Sequence, residues 1–196
     1  MINGWIILGA IIWLYVLSVV NRAHLNAIHF WLGSIGLFLL MAFSARAYFV
    51  WLLSAVVTQI TGWWGDLTGL YTSSYINGMI SIKNAHGLVL LFVDYECSGI
   101  IETIAYLSLL WFYPMYNRAQ KVKLTFTGAS WILLANVFRL SLIASILYYA
   151  GSGAFFLVHS VLGRIIFYVL VIILYYNVFT RVQFDEAGSR FNYGRK

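Results

Sequence analysis

Long uncharged runs, broken by short polar clusters, organise this chain. A helix needs roughly 20 apolar residues to cross about 30 Å of hydrocarbon. By that measure five crossings emerge, over about 4–20, from Ile28 to at least Phe43, over about Gly99–Tyr113, Leu124–Tyr149 and Val158–Phe179. A further apolar stretch, Tyr48–Trp64, carries Thr58, Gln59, Thr61 and the Trp63-Trp64 pair. It is expected to extend the second helix obliquely or to lie in the interface, without crossing. Between it and the third span the period changes. Tyr75-Ile-Asn-Gly-Met-Ile-Ser-Ile, with Asn77-Gly78 as its turn, and Leu88-Val-Leu-Leu-Phe-Val read as a small β-hairpin. The pattern predicts an all-α, polytopic transmembrane bundle of about five to six helices with a small extracytoplasmic hairpin. No internal repeat or linker divides it, so residues 1–196 are read as one integral-membrane domain.

Composition agrees with the bilayer as solvent. Of 196 residues, 62% are hydrophobic, and the charged fraction of 9% is too small to face water, since ordinary globular chains are about a quarter charged. The N-terminal apolar run has no Lys or Arg ahead of it and no A-x-A-like site, so a retained span is expected in place of a signal peptide. The +6 charge does not point to nucleic acid, because the basic residues lie in short clusters between apolar segments. Arg22, Arg118, Lys121, Lys123, Arg181, Arg190, Arg195 and Lys196 fall on one side of a five-span chain. That side is expected to be cytoplasmic, with the N-terminus outside and the C-terminus inside. A single cysteine excludes an internal disulfide, a CxxC dithiol and a cysteine-rich zinc site, so no metal or cofactor is expected.

Ionisable groups inside spans are costly and mark function by default. At 1.5 Å per residue, Arg139 lies about 24 Å from Lys123, Glu102 about 24 Å from Arg118, and Arg164 about 26 Å from Arg181. By the same rise His159 and Cys97 come out at roughly 32 to 33 Å from their basic markers. These five groups share one layer near the outer interface. A thiol attacks as thiolate, which a helix N-terminus or nearby positive charge favours, and Cys97-Ser98-Gly99 immediately precedes the third span. His159 can exchange the proton, and Arg139 can stabilise thiolate or an oxyanion. Asn136, three residues before Arg139 on the same helical face, can orient the guanidinium or donate to a substrate.

Each has a plainer reading. A lone buried cysteine is usually an inert small hydrophobe, and a histidine at a span end is often just interfacial. Glu102 is expected to be the ion-pair partner of Arg139 or Arg164, a structural role for both. His24, His29 and His86 read as loop or interface histidines, with His86 a rival for the base. Gly151-Ser152-Gly153 reads as the turn between the last two spans, and Trp63, Trp64, Trp111 and Trp131 as interfacial belts or lipid-facing packing.

The element Glu96-Cys-Ser-Gly-Ile-Ile, then Ala135-Asn-Val-Phe-Arg-Leu, then a histidine opening the next span resembles the exosortase/archaeosortase family of multi-pass membrane cysteine transpeptidases. The likeness is strongest over residues 87–179, and the order Cys, Arg, His is the family's. It implies cleavage of a C-terminal sorting signal on an exported protein through an acyl-enzyme, then transfer to an acceptor. Cys97 would be nucleophile, Arg139 electrostatic stabiliser and His159 acid/base, with Ser98, Gly99, Asn136, Glu102 and Arg164 binding substrate or supporting the site. The implied partners are the exported protein and membrane lipid. The chain is shorter than many exosortases and more similar to the short Gram-positive variant, exosortase G. Its chemistry would resemble that of soluble sortases on an unrelated helical frame. Two other readings use the same groups. A transporter or channel predicts polar residues through the whole depth of the membrane, whereas the inner halves here are almost wholly apolar. A non-catalytic scaffold would use buried ion pairs only to fix helix packing.

Overall fold

Among the described residues, six α-helices and one three-stranded sheet follow the predicted alternation of runs. The computed structural model describes residues 4–44, 48–84, 87–95 and 97–184, so His86, Glu96, Arg190, Arg195 and Lys196 lie outside the described residues. Helices α1 (Gly4–Arg22), α2 (Asn26–Ser44) and α3 (Tyr48–Thr68) precede strands β1 (Thr72–Ser74), β2 (Met79–Asn84) and β3 (Gly87–Phe92). Helices α4 (Ile100–Phe112) and α5 (Arg118–Ala150) come next. A 3₁₀ turn (Ser152–Ala154), a π-helical segment (Phe156–Leu162), α6 (Gly163–Tyr175) and a second π-helical segment (Tyr176–Thr180) follow. Among the described residues, three helical stretches are long and apolar enough to cross a membrane, Asn26–Ser44, Arg118–Ala150 and Ser152–Phe184. Ile6–Arg22 and Ile100–Phe112 are shorter apolar helices. The 13 residues of α4 rise only about 20 Å, which falls short of the hydrocarbon thickness.

The chain divides into two compact units, Met1–Leu52 with Ile100–Ala129, and Leu53–Gly99 with Ser130–Lys196, and the cuts fall inside α3 and α5. In the first unit α2 packs against both α1 and α4. Gly33 abuts the Phe112 ring and Gly36 the Trp13 indole, and a side chain at either position would collide with the ring. Small residues are what permit such close helix contacts in lipid. The Trp13 indole N–H donates to the Leu32 carbonyl at 2.9 Å, and the Tyr106 hydroxyl to the Leu124 carbonyl at 2.9 Å. Pro114 sits in the connection between α4 and α5, where Asn117 and Gln120 exchange side-chain to backbone hydrogen bonds at 2.9 and 3.0 Å. This reciprocal capping starts α5. Lys121 Nζ satisfies the Trp111 carbonyl at the end of α4, at 2.7 Å.

In the second unit the sheet is fully antiparallel, with β2 central. Gly78 takes φ 58°, which suits glycine, and closes the first turn by donating to the Tyr75 carbonyl at 3.3 Å. The expected Asn77-Gly78 turn is present, but Tyr75 and Ile76 belong to it and not to a strand. The strand entering that turn is Thr72–Ser74, and β2 with β3 forms a second hairpin. Alternation explains the packing: Ile80, Ile82, Val89 and Leu91 are buried against Leu140, Ile143, Ala144 and Leu147 of α5, with Val57 of α3 in the same cluster. Asn84 Nδ2 donates to the Leu147 and Tyr148 carbonyls at 3.0 and 3.1 Å, satisfying groups that the end of α5 leaves open. Trp131, expected to serve the lipid-facing belt, also ties α5 to α6 by donating to the Leu170 carbonyl at 2.9 Å.

Candidate active site

The inner face of the sheet leads directly to the sulfur. After β3 the Val93 N–H bonds back to the Gly78 carbonyl at 2.7 Å, and the chain turns so that the Cys97 N–H meets the Asp94 carbonyl at 3.2 Å and Asp94 Oδ1 at 3.1 Å. Ser98 is buried and its hydroxyl donates to the Tyr95 carbonyl at 3.0 Å. Gly99 follows with φ 75°, and a Cβ there would stand 3.4 Å from Asn136 Nδ2. Backbone conformation thus selects glycine, while the space would take a Cβ in ordinary contact. Asn136, fully buried on α5, donates to the Cys97 carbonyl at 2.6 Å and pins the turn from the other side.

Cys97 is buried, and its Sγ lies 3.8 Å from His159 Nε2, within reach of a sulfur hydrogen bond. His159 comes from the π-helical segment Phe156–Leu162 and stacks on Phe155, with ring centroids 5.3 Å apart and planes 16° from parallel. Such π-helical turns recur at functional sites, where the extra residue per turn re-aims a side chain. Arg139, one turn beyond Asn136, is 6% exposed and packs over the Phe167 ring at 5.2 Å. The guanidinium acts on the thiol through both charge and a side-chain hydrogen bond. Burial is the strongest effect on the Cys97 thiol and pushes it above the usual range; Arg139 pulls it down, and the Asp94 carboxylate pushes it up. Burial thus opposes ionisation of this sulfur, whereas the factors visible in the sequence, a helix N-terminus and nearby positive charge, favour the thiolate.

Three buried atoms here lack protein partners: Asn136 Oδ1, Arg139 Nε and His159 Nδ1. Buried donors and acceptors are nearly always paired, so these three stand out among the residues that act on Cys97.

Cys97, Ser98, Gly99, Asn136, Arg139 and His159 are thus gathered in the second unit. Arg164, also in it, is exposed at the start of α6 and close enough to influence His159 electrostatically. Glu102 lies half-buried in the first turn of α4, in the first unit. His24 occupies an exposed turn at φ 56°, and His29 meets the Phe112 ring at 5.7 Å. Sequence reasoning did not single out Asp94, Phe155 or Phe167 for the site. Asp94 had a signal in its spacing, since a side-chain acceptor three residues ahead of Cys97 suits a capped turn.

The same helix offers a second, different face. Leu134, Val137, Phe138, Ser141, Leu142 and Ser145 line a groove of about 590 Å³ with Ile60, Trp63, Trp64 and Leu67 of α3. At 100° per residue these α5 positions lie opposite Asn136, Arg139, Leu140 and Ile143, so the groove does not open onto the sulfur.

A family profile described as transmembrane exosortase covers residues 2–176. No curated protein and no solved structure matches the chain.

Proposed function

Because the chain belongs to the transmembrane exosortase family, and so is a membrane protein, we propose that it is a cysteine transpeptidase cleaving a C-terminal sorting signal from exported proteins. The observation that carries this reading is the 3.8 Å approach of Cys97 Sγ to His159 Nε2 with Arg139 acting on the same sulfur. His159 removes the thiol proton as Sγ attacks the scissile carbonyl, so the thiolate exists only while it reacts. Arg139 faces the developing oxyanion. His159 then returns the proton to the departing amine, the peptide C–N bond breaks, and a thioester joins the substrate's new C-terminus to Cys97. An acceptor nucleophile deprotonated by His159 attacks that thioester and releases the thiol. The distribution of Lys and Arg supports a cytoplasmic C-terminus, an external N-terminus and a site facing away from the cytosol.

The test is processing of a co-expressed exported protein bearing a C-terminal sorting signal, by wild type and by Cys97→Ala, Arg139→Ala and His159→Ala. All three variants should leave it unprocessed, and full processing by Cys97→Ala would reject covalent catalysis. A membrane-impermeant maleimide should label Cys97 in intact cells; labelling only after permeabilisation would reverse the orientation.

A further inference from the structure

We infer that the outer edge of β3 is a docking strand for an extended stretch of the polypeptide substrate, which it pairs through the backbone and delivers to Cys97; this rests on the nucleophile reading above. The ladder register shows which groups are available. The Val93 N–H bond to the Gly78 carbonyl marks residues 78 and 93 as a hydrogen-bonded pair. Hydrogen-bonded and non-hydrogen-bonded pairs alternate along an antiparallel ladder. Ile80↔Leu91 and Ile82↔Val89 are then hydrogen-bonded, whereas Met79↔Phe92, Ser81↔Leu90 and Lys83↔Leu88 are not. The N–H and C=O groups of Leu88, Leu90 and Phe92 therefore point away from β2. The sheet order ends at β3, and among the described residues nothing pairs with that edge.

An open edge is ordinarily blunted by proline, charge or a bulge. The sequence of β3, GLVLLF, has neither proline nor charge, and its register runs unbroken from residue 87 to 92. Leu88, Leu90 and Phe92 also expose their side chains, at 62%, 41% and 59%. Such an edge offers backbone partners spaced for a strand, with alternate apolar side chains beside them, which is how strand addition reads a peptide. Lipid is a poor occupant, since hydrocarbon leaves backbone N–H and C=O groups unsatisfied at several kcal/mol each. Position makes the occupant a substrate. Phe92 and Cys97 are five residues apart in the chain, which bounds their separation at about 18 Å, and the intervening turn shortens it. A strand on β3 would thus place its scissile bond within a handful of residues of the paired segment. The substrate class is a segment able to lie extended, with apolar side chains at alternate positions, in place of a preformed helix.

The test uses the full chain in detergent and its single thiol, read by intact mass. An acetylated Val/Thr hexapeptide chloromethyl ketone should alkylate Cys97 at least tenfold faster than chloroacetone, which carries the same reactive group without a backbone. Methylating alternate amide nitrogens of the peptide should abolish that ratio in one of the two registers. Leu90→Pro removes an outward N–H that the ladder does not use, and should bring the ratio for the unmethylated peptide close to one. Equal rates for peptide and chloroacetone, or a ratio unaffected by methylation in either register, would overturn the docking edge while leaving the nucleophile intact. A sulfur inert to both reagents overturns the nucleophile reading and this one with it.

Discussion

The two compact units differ in how many buried polar atoms they leave without a protein partner. In the first, Ser108 donates to the Ile104 carbonyl at 2.7 Å and Tyr106 to the Leu124 carbonyl at 2.9 Å, while Ser34 and Thr125 each hold a buried hydroxyl with no protein partner. In the second, Ser54, Thr58, Thr61, Asn136, Arg139, Ser141 and His159 all hold a buried atom with no protein partner. An unmade buried hydrogen bond costs about 1–3 kcal/mol. More such atoms lie in the second unit than in the first among the described residues, and Asn136, Arg139 and His159, which carry three of them, each act on Cys97 through another atom. On the proposed function the first unit is a frame, and the second holds the site that a substrate would complete.

If this contrast is functional, substitutions in the two units should have different signatures. The largest effect is Cys97→Ala, which should reduce processing to background while leaving the protein's abundance in the membrane unchanged. Arg139→Gln should follow, lowering the rate on the order of 10² to 10³-fold if the guanidinium faces the oxyanion. Asn136→Ala comes next. Without the 2.6 Å bond to the Cys97 carbonyl the turn loosens, and a displacement near 1 Å can cost about 10²-fold. In the first unit, Gly128→Val should do the reverse. Its side chain would run into the Tyr106 ring, an overpacking that costs about 1–3 kcal/mol. Thermal stability in detergent should fall, with the processing rate per folded molecule unchanged. A drop in that specific rate would dissolve the distinction between frame and site.

Why so much of this was legible in sequence, and the rest was not, follows from the kind of signal each feature leaves. An apolar run and a rare ionisable group inside it are one-dimensional facts, so α1, α2, α4 and the α6 region were predicted close to their observed ends, and α5 at its C-terminal end, its start lying at Arg118 and not Leu124. Helical rise alone put Cys97, Arg139 and His159 at similar depth. Rotation leaves no such mark. Whether His159 turns toward the sulfur depends on the π-helical winding of Phe156–Leu162, which no residue in that run announces. The stacking of Phe155 and the ring of Phe167 beneath Arg139 depend on tertiary packing, and aromatics are too common here for sequence to single them out. The strand Thr72–Ser74 was hidden for another reason: three short polar residues have no period to read, and their strand character comes from pairing with β2.

The smallest effect separates charge from geometry at the sulfur. Asp94 acts on Cys97 in two ways, since Oδ1 accepts the Cys97 N–H at 3.1 Å and the carboxylate raises the thiol pKa. Asp94→Asn keeps an acceptor oxygen of the same shape and removes only the charge. A negative neighbour disfavours the thiolate. Its loss should therefore move the rise of Cys97 alkylation by chloroacetone to lower pH, and Arg139→Gln should move the same profile to higher pH. Asp94 is exposed, so water and salt screen it and the displacement should stay below about one pH unit, shrinking further at high ionic strength. Processing of substrate should barely change near neutral pH, because a thiol deprotonated by His159 during attack depends on the base more than on its own equilibrium. If instead processing rose in parallel with the alkylation profile, the reactive species would be a standing thiolate, and the unpaired atoms around it would have to be explained without a proton transfer to His159.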